Sequence, residues 1–176
     1  MSVRTRTALA LCALIAALSA TSAGAHPDAP RVVALDDLER SVLVEINALR
    51  RKNGVAPLRM NVRLRAAADA HSTAMAKRGF FAHESADGSS FWKRVARYYP
   101  RGRGPWSVGE NLLWSSPSVD AAGSVRMWLN SAPHRKNLLA SHWREIGLSA
   151  VHVDAGPGVF NGAPVTILTA DFGRRR

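Results

Sequence analysis

The chain reads as an α+β domain in which helices come first and strands last. Leu38, Val42, Ile46 and Leu49 recur at helical spacing, and so do Leu64, Ala68, His71 and Met75. By contrast, the stretches Ile146 to Val153 and Ala163 to Ala170 read as strands, separated by the turn-forming Gly156-Pro157-Gly158 and Asn161-Gly162. Segregated helices and strands, rather than a regular alternation, point to α+β.

The elements follow in order. Residues 26–37 form a linker with two prolines, and Asp36 and Asp37 can cap the first helix. Arg50-Arg51-Lys52 in its last turn complements the helix dipole, and Gly54 lies just beyond. Pro57 to Met60 is a short extended link. Asn61 caps a second helix that Gly79 ends. Asp87-Gly88 is a turn, and Ser89 or Ser90 caps a shorter helix carrying Phe91, Trp92 and Val95. Pro100 to Pro105 is a loop rich in glycine and arginine. Leu112-Leu113-Trp114 begins either a strand or a helical turn. Ser116 or Ser118 precedes a helix with Ala121, Ala122, Val125 and Trp128, and Pro133 fits the first turn of the next. The basic tail 174–176 is expected to fray.

The first 25 residues read as a secretory signal: Arg4 and Arg6, an apolar run from Ala8 to Leu18, then Ala23-Gly24-Ala25 before His26. The run is short for a membrane anchor, the alternative reading. Cys12, the only cysteine, lies within it behind Leu11, which is not the small residue that lipidation needs. The remainder therefore has no internal disulfide and must be held by packing. It is also basic. The whole chain carries a formal charge of +11, and all but four of its 24 Lys and Arg side chains are arginine. A secreted or periplasmic protein of this charge suits phospholipid headgroups, lipopolysaccharide or anionic cell-wall polymers, or simply has a basic surface. Nucleic acid is disfavoured, since a secreted protein rarely meets it.

Five short signatures stand in a fixed order. They are Phe80-Phe81-Ala82-His83, Gly109-Glu110-Asn111, the segment from Trp128 to Asn137, Ile146-Gly147-Leu148 and Asp171-Phe172-Gly173. From Leu38 to Gly173 the chain resembles the CAP (SCP) domain of cysteine-rich secretory proteins, antigen 5 and plant pathogenesis-related proteins, in its cysteine-free bacterial branch. The resemblance implies a three-layer α-β-α sandwich over 38–173. It also implies a central cleft lined by two histidines and two acids. His83 matches the first histidine, Glu110 the first acid and His134 the second histidine. The second acid is missing: Ser131 stands three residues after Trp128 where eukaryotic members have Glu.

Two imidazoles and a carboxylate can bind a divalent ion, zinc above all, leaving a position for water. The alternative is a hydrogen-bonded polar cluster without metal. His71, on an apolar helix face, reads as a core histidine. His83-Glu84-Ser85-Ala86-Asp87 has Asp87 where the zinc-protease motif requires its second histidine. Ser131 and His134 lack a nucleophile elbow, so Ser131 reads as a helix cap, and Asn111 and Asn137 as backbone-bonding residues. Trp106, beside Arg101 and Arg103, is either a buried loop anchor or an exposed ring suited to peripheral membrane contact or an apolar ligand.

The favoured function is a secreted binding module for a lipid or an anionic envelope component. The missing acid at Ser131 argues against catalysis. The rivals are a metal-dependent hydrolase using His83, Glu110 and His134, and a structural or stress-linked envelope protein with a non-catalytic cleft.

Overall fold

A computed structural model describes residues 30–175. The expected export segment 1–25 and Arg176 lie outside the described residues. The chain runs through β1 (Val32–Ala34), α1 (Asp36–Lys52), β2 (Arg59–Met60), α2 (Val62–Arg78), α3 (Phe91–Tyr98) and β3 (Trp106–Ser115). It continues through α4 (Ala121–Leu129), α5 (Ala132–Leu139), β4 (Glu145–Val153), a 3₁₀ turn (Gly158–Phe160) and β5 (Val165–Arg175).

The sheet order is β1-β4-β5-β3, with β2 pairing in parallel with the start of β4. Alternation along the strands sends side chains to two opposite helical layers. Ile146, Leu148 and Ala150 of β4 and Leu168, Ala170 and Phe172 of β5 pack with Val42, Ile46, Val125, Trp128 and Leu138 from α1, α4 and α5. On the other face, Val151, Val165 and Ile167 pack with Met75 and Ala76 of α2, while Leu64 and Ala67 of α2 meet Val95 of α3. The molecule is a three-layer α-β-α sandwich.

Local chemistry explains the helix ends. The Asn61 side chain accepts from the Arg63 and Leu64 amides at 2.9 and 3.2 Å, and Gly79 closes α2 with a φ of 68°. Arg50 does more than complement a dipole. It is fully buried, and its guanidinium donates to the carbonyls of Ala56, Leu138 and Ala140, tying the end of α1 to the end of α5.

Several sequence expectations are corrected. The 26–37 linker contains β1, a three-residue strand paired antiparallel with Val151–Val153 of β4 and too short to leave a periodic signal. Asp36 and Asp37 lie inside the first turn of α1, where they face its positive pole, and Leu35 occupies the cap position. Asp120, not a serine, caps α4 by accepting from the Gly123 amide at 2.6 Å. Gly109-Glu110-Asn111 lies within β3 rather than before it, and Leu112-Leu113-Trp114 is strand. Arg174 and Arg175 do not fray: they pair with Ser107 and Trp106, and the Arg175 guanidinium lies 4.2 Å from the Tyr99 ring centre.

Candidate functional site

Strand β3 is an edge of the sheet, and the site forms along it. Edge carbonyls need partners or cover, and the signature residues supply them. Trp128 Nε1 donates to the Leu112 carbonyl at 3.1 Å, and Asn137 Nδ2 donates to the Glu110 carbonyl at 3.1 Å. Asn137 also donates to Asn111 Oδ1 at 2.9 Å, while Asn111 Nδ2 donates to the His134 carbonyl at 3.0 Å. Asn111 is fully buried and works inside the fold as the clamp between β3 and α5. Gly109 has no side chain because the Trp143 ring fills that space: a Cβ there would stand 2.8 Å from Trp143 Cζ2.

The charged centre lies on the α2–α3 face. Glu110 points inward from β3 with a side chain only 1% exposed. His83, from the segment between α2 and α3, places Nδ1 2.7 Å from Glu110 Oε1, and Arg94 of α3 pairs with Oε2. Arg94 Nη1 also donates to the His83 carbonyl at 3.2 Å and to Ser85 Oγ at 3.0 Å, so one guanidinium fixes both the acid and the loop carrying the histidine. Asp171 of β5 is directly opposite Glu110 in the sheet register. It is completely buried, and neither carboxyl oxygen has a hydrogen-bond donor.

These surroundings tune the titrating groups. The bond to Glu110 raises the His83 pKa against the opposing effect of burial. Burial, and then the Glu110 charge, push Asp171 well above the usual carboxylate range. Burial without a donor at either oxygen disfavours the charged form of Asp171, in keeping with that direction. Burial takes His71 down to about 4, and its Nε2 lies 2.8 Å from the Ala82 carbonyl. His134 is lowered by burial and by the neighbouring His83.

His83, Glu110 and His134 do gather at one edge of the sheet, but the set does not fit a three-ligand ion. Both Glu110 oxygens are engaged, by His83 and Arg94, and His83 Nδ1 is committed to the same carboxylate. Among the described residues no group of three His, Cys, Asp or Glu side chains is arranged to hold a metal.

Beside His134 opens a groove of about 290 Å³. Its walls include Phe81, Leu112, Trp114, Met127, Ser131 and His134. Phe81, Trp114 and Met127 are 36%, 37% and 41% exposed, large apolar side chains turned to solvent around one depression. Ser131 occupies the cap position of α5, but its hydroxyl makes no capping bond. Trp106 is not part of this groove. It is half-buried at the start of β3, donates from Nε1 to the Tyr99 carbonyl at 3.0 Å, and carries Arg101 over its ring at 4.9 Å.

Sequence reasoning missed Arg94 and Asp171. Both had a signal. Arg94 shares the helix face of Phe91 and Val95, an unusual place for an unpaired arginine. Asp171 sits between Ala170 and Phe172 in a strand that is buried on both faces.

Residues 43–172 match the family model described as "Cysteine-rich secretory protein family". The chain is 30% identical over 113 residues to the uncharacterized protein YkwD of Bacillus subtilis (strain 168), a match spanning 64% of this chain and 42% of that protein. The chain thus spans less than half the length of that relative. Among solved structures it resembles an extracellular protein containing a SCP domain from Bacillus anthracis str. Ames, with a TM-score of 0.62 and 23% identity over 80% of this chain and 41% of that one. It also resembles an outer surface protein from Borrelia burgdorferi, with a TM-score of 0.65 and 18% identity over 84% and 99% of the two chains. Both likenesses bear on the fold.

Proposed function

The chain belongs to the cysteine-rich secretory protein family, and on that premise we propose that it is a secreted or periplasmic binding module for an amphiphilic lipid. The observation that carries this reading is the groove, where Phe81, Trp114 and Met127 are exposed together beside His134 and Ser131. Contiguous exposed apolar side chains are costly in water unless something covers them, and such depressions with a few polar groups are the usual form of a ligand site. An acyl chain would lie against Trp114 and Met127, and a polar head would reach the His134 imidazole and the Ser131 hydroxyl. The basic character of the chain favours an anionic head, whether of a lipid or of an envelope polymer. The extracellular and outer-surface descriptions of the two structural neighbours agree with a site of action outside the cytoplasm. Among the described residues, no helix is long and apolar enough to cross a membrane.

Hydrolysis through His83, Glu110 and His134 has less support. A general base must reach the proton it takes, and Glu110 is buried with both oxygens occupied.

Native mass spectrometry of the purified protein with oleate and with lysophosphatidylglycerol tests the reading. One-to-one complexes that vanish in a Trp114→Ala, Met127→Glu variant are expected. Absence of any complex with either probe, or complexes unchanged in the variant, would contradict it.

A further inference from the structure

A second cavity, of about 400 Å³, lies between α2, α3 and the 85–87 turn. Its polar lining includes Arg78, Arg94, Arg97, Ser85 and Tyr98 as well as His71 and Asp87, and Ala70 and Ala74 of α2 leave the room. Three guanidinium groups around one depression are unusual, because like charges repel and each needs an acceptor.

The acceptors present do not satisfy them. Arg94 is 5% exposed, and although its Nη atoms are engaged, its Nε is buried with no acceptor at all. Such a donor carries the full desolvation cost without return. The side chains of Arg78 and Arg97 make no hydrogen bond and no ion pair among the described residues. Glu110 balances Arg94. The one carboxylate lining the cavity is the exposed Asp87, which accepts from the Ser89 amide at 2.9 Å and offsets Arg97 in part, leaving Arg78 without a counter-charge there. His71 also lines the cavity and, with its pKa taken down to about 4 by burial, adds no charge at neutral pH. The cavity therefore has a positive excess and a buried N–H still without an acceptor.

We propose that this cavity is a binding site for a phosphate group, either free phosphate or the head of a phosphate monoester. The geometry favours a tetrahedral oxyanion over a carboxylate. Arg78 approaches from α2 and Arg94 and Arg97 from α3, so the donors surround the space on more than one side. A phosphate presents oxygens in every direction, whereas a carboxylate presents two in one plane. Ser85 Oγ and the Tyr98 hydroxyl can donate to the remaining oxygens. The site is separate from the apolar groove and does not depend on it.

The test is calorimetric titration of inorganic phosphate into the purified protein and into an Arg78→Ala, Arg97→Ala variant, whose changes are at exposed positions outside the Glu110 cluster. The expected result is one-to-one binding, weakened at least tenfold in the variant and unchanged in Trp114→Ala. Cosedimentation with phosphatidylcholine vesicles, with and without phosphatidic acid, separates the two sources. Vesicle binding that needs phosphatidic acid and is lost in the double variant assigns a lipid head; phosphate binding without it assigns a soluble ligand. If neither probe binds, or if binding survives the double variant, the proposal is wrong.

Discussion

Replacing Arg94 with Met should unfold the charged centre while leaving the apolar packing of α3 in place. The guanidinium is the cation paired with Glu110, and the two side chains are only 6% and 1% exposed. Removing one partner of a buried pair leaves an uncompensated charge and typically costs about 3–5 kcal/mol. Arg94 also supplies the bonds to the His83 carbonyl and Ser85 Oγ, together worth about 1–3 kcal/mol. Solvent entering the loosened loop will recover part of this, so we expect a loss of about 4 kcal/mol. For a domain of this size each kcal/mol shifts the melting temperature by about 2–4 °C, so the fall should be roughly 12 °C. Denaturant melts of wild type, Arg94→Met and the Arg94→Met, Glu110→Gln pair at pH 7 read this out. The double variant should regain at least half the loss. A single-variant loss below about 1 kcal/mol, the range of an exposed pair, or a double variant no more stable than the single, would refute the assignment of Arg94 as the counter-ion of Glu110.

Three further outcomes are expected. Gly147→Ala would place a Cβ 2.0 Å from the Leu64 carbonyl carbon and 2.1 Å from the Arg65 nitrogen, where both sides are backbone; the loss should reach about 3 kcal/mol, and an unchanged melting temperature would show that α2 does not sit so close to β4. His71 has a folded pKa of about 4 against an ordinary value of 6.5, so its contribution is complete above pH 6.5 and lost as pH falls toward 4, an effect of about 3 kcal/mol. His71→Gln should flatten the stability-against-pH curve relative to wild type over that window, and parallel curves would contradict the burial of a neutral imidazole. Trp128→Phe should leave the Leu112 edge carbonyl without its donor and cost about 1–3 kcal/mol, with faster amide exchange along β3; unaltered exchange would mean the indole N–H is dispensable.

What the sequence disclosed was local chemistry. Asn61 and Gly79 bracket α2 because a side-chain cap and a left-handed residue act within one turn. The Asp87-Gly88 turn is legible for the same reason, with Gly88 at a φ of 77°. The signatures pointed to His83, Glu110 and His134, of which the first two bond directly and the third is tied to β3 through its backbone carbonyl. What stayed hidden depends on register across the sheet. Asp171 faces Glu110 only because β5 pairs with β3 in one alignment, and no spacing in the chain encodes that. The place of Arg94 beside Phe91 and Val95 was visible in the helix spacing, but the buried carboxylate it faces lies on β3. The strand β1 and the paired Arg174 and Arg175 were invisible because their partners lie far away in the chain. The partners of Glu110 were hidden for a related reason: residue types suggested metal ligands, whereas the fold sets His83 and Arg94 against its two oxygens.

The most direct test of ligand binding in the groove uses the methionine methyl groups as reporters. The protein has four methionines. Met127 lines the groove, whereas Met75 is a buried residue of α2 and Met60 lies in β2. With ¹³C-methyl methionine, titration of oleate should shift the Met127 resonance, saturably and at one-to-one stoichiometry, and leave Met60 and Met75 in place. A silent Met127, or shifts confined to the other methionines, would contradict the claim that this groove is where the protein holds its ligand.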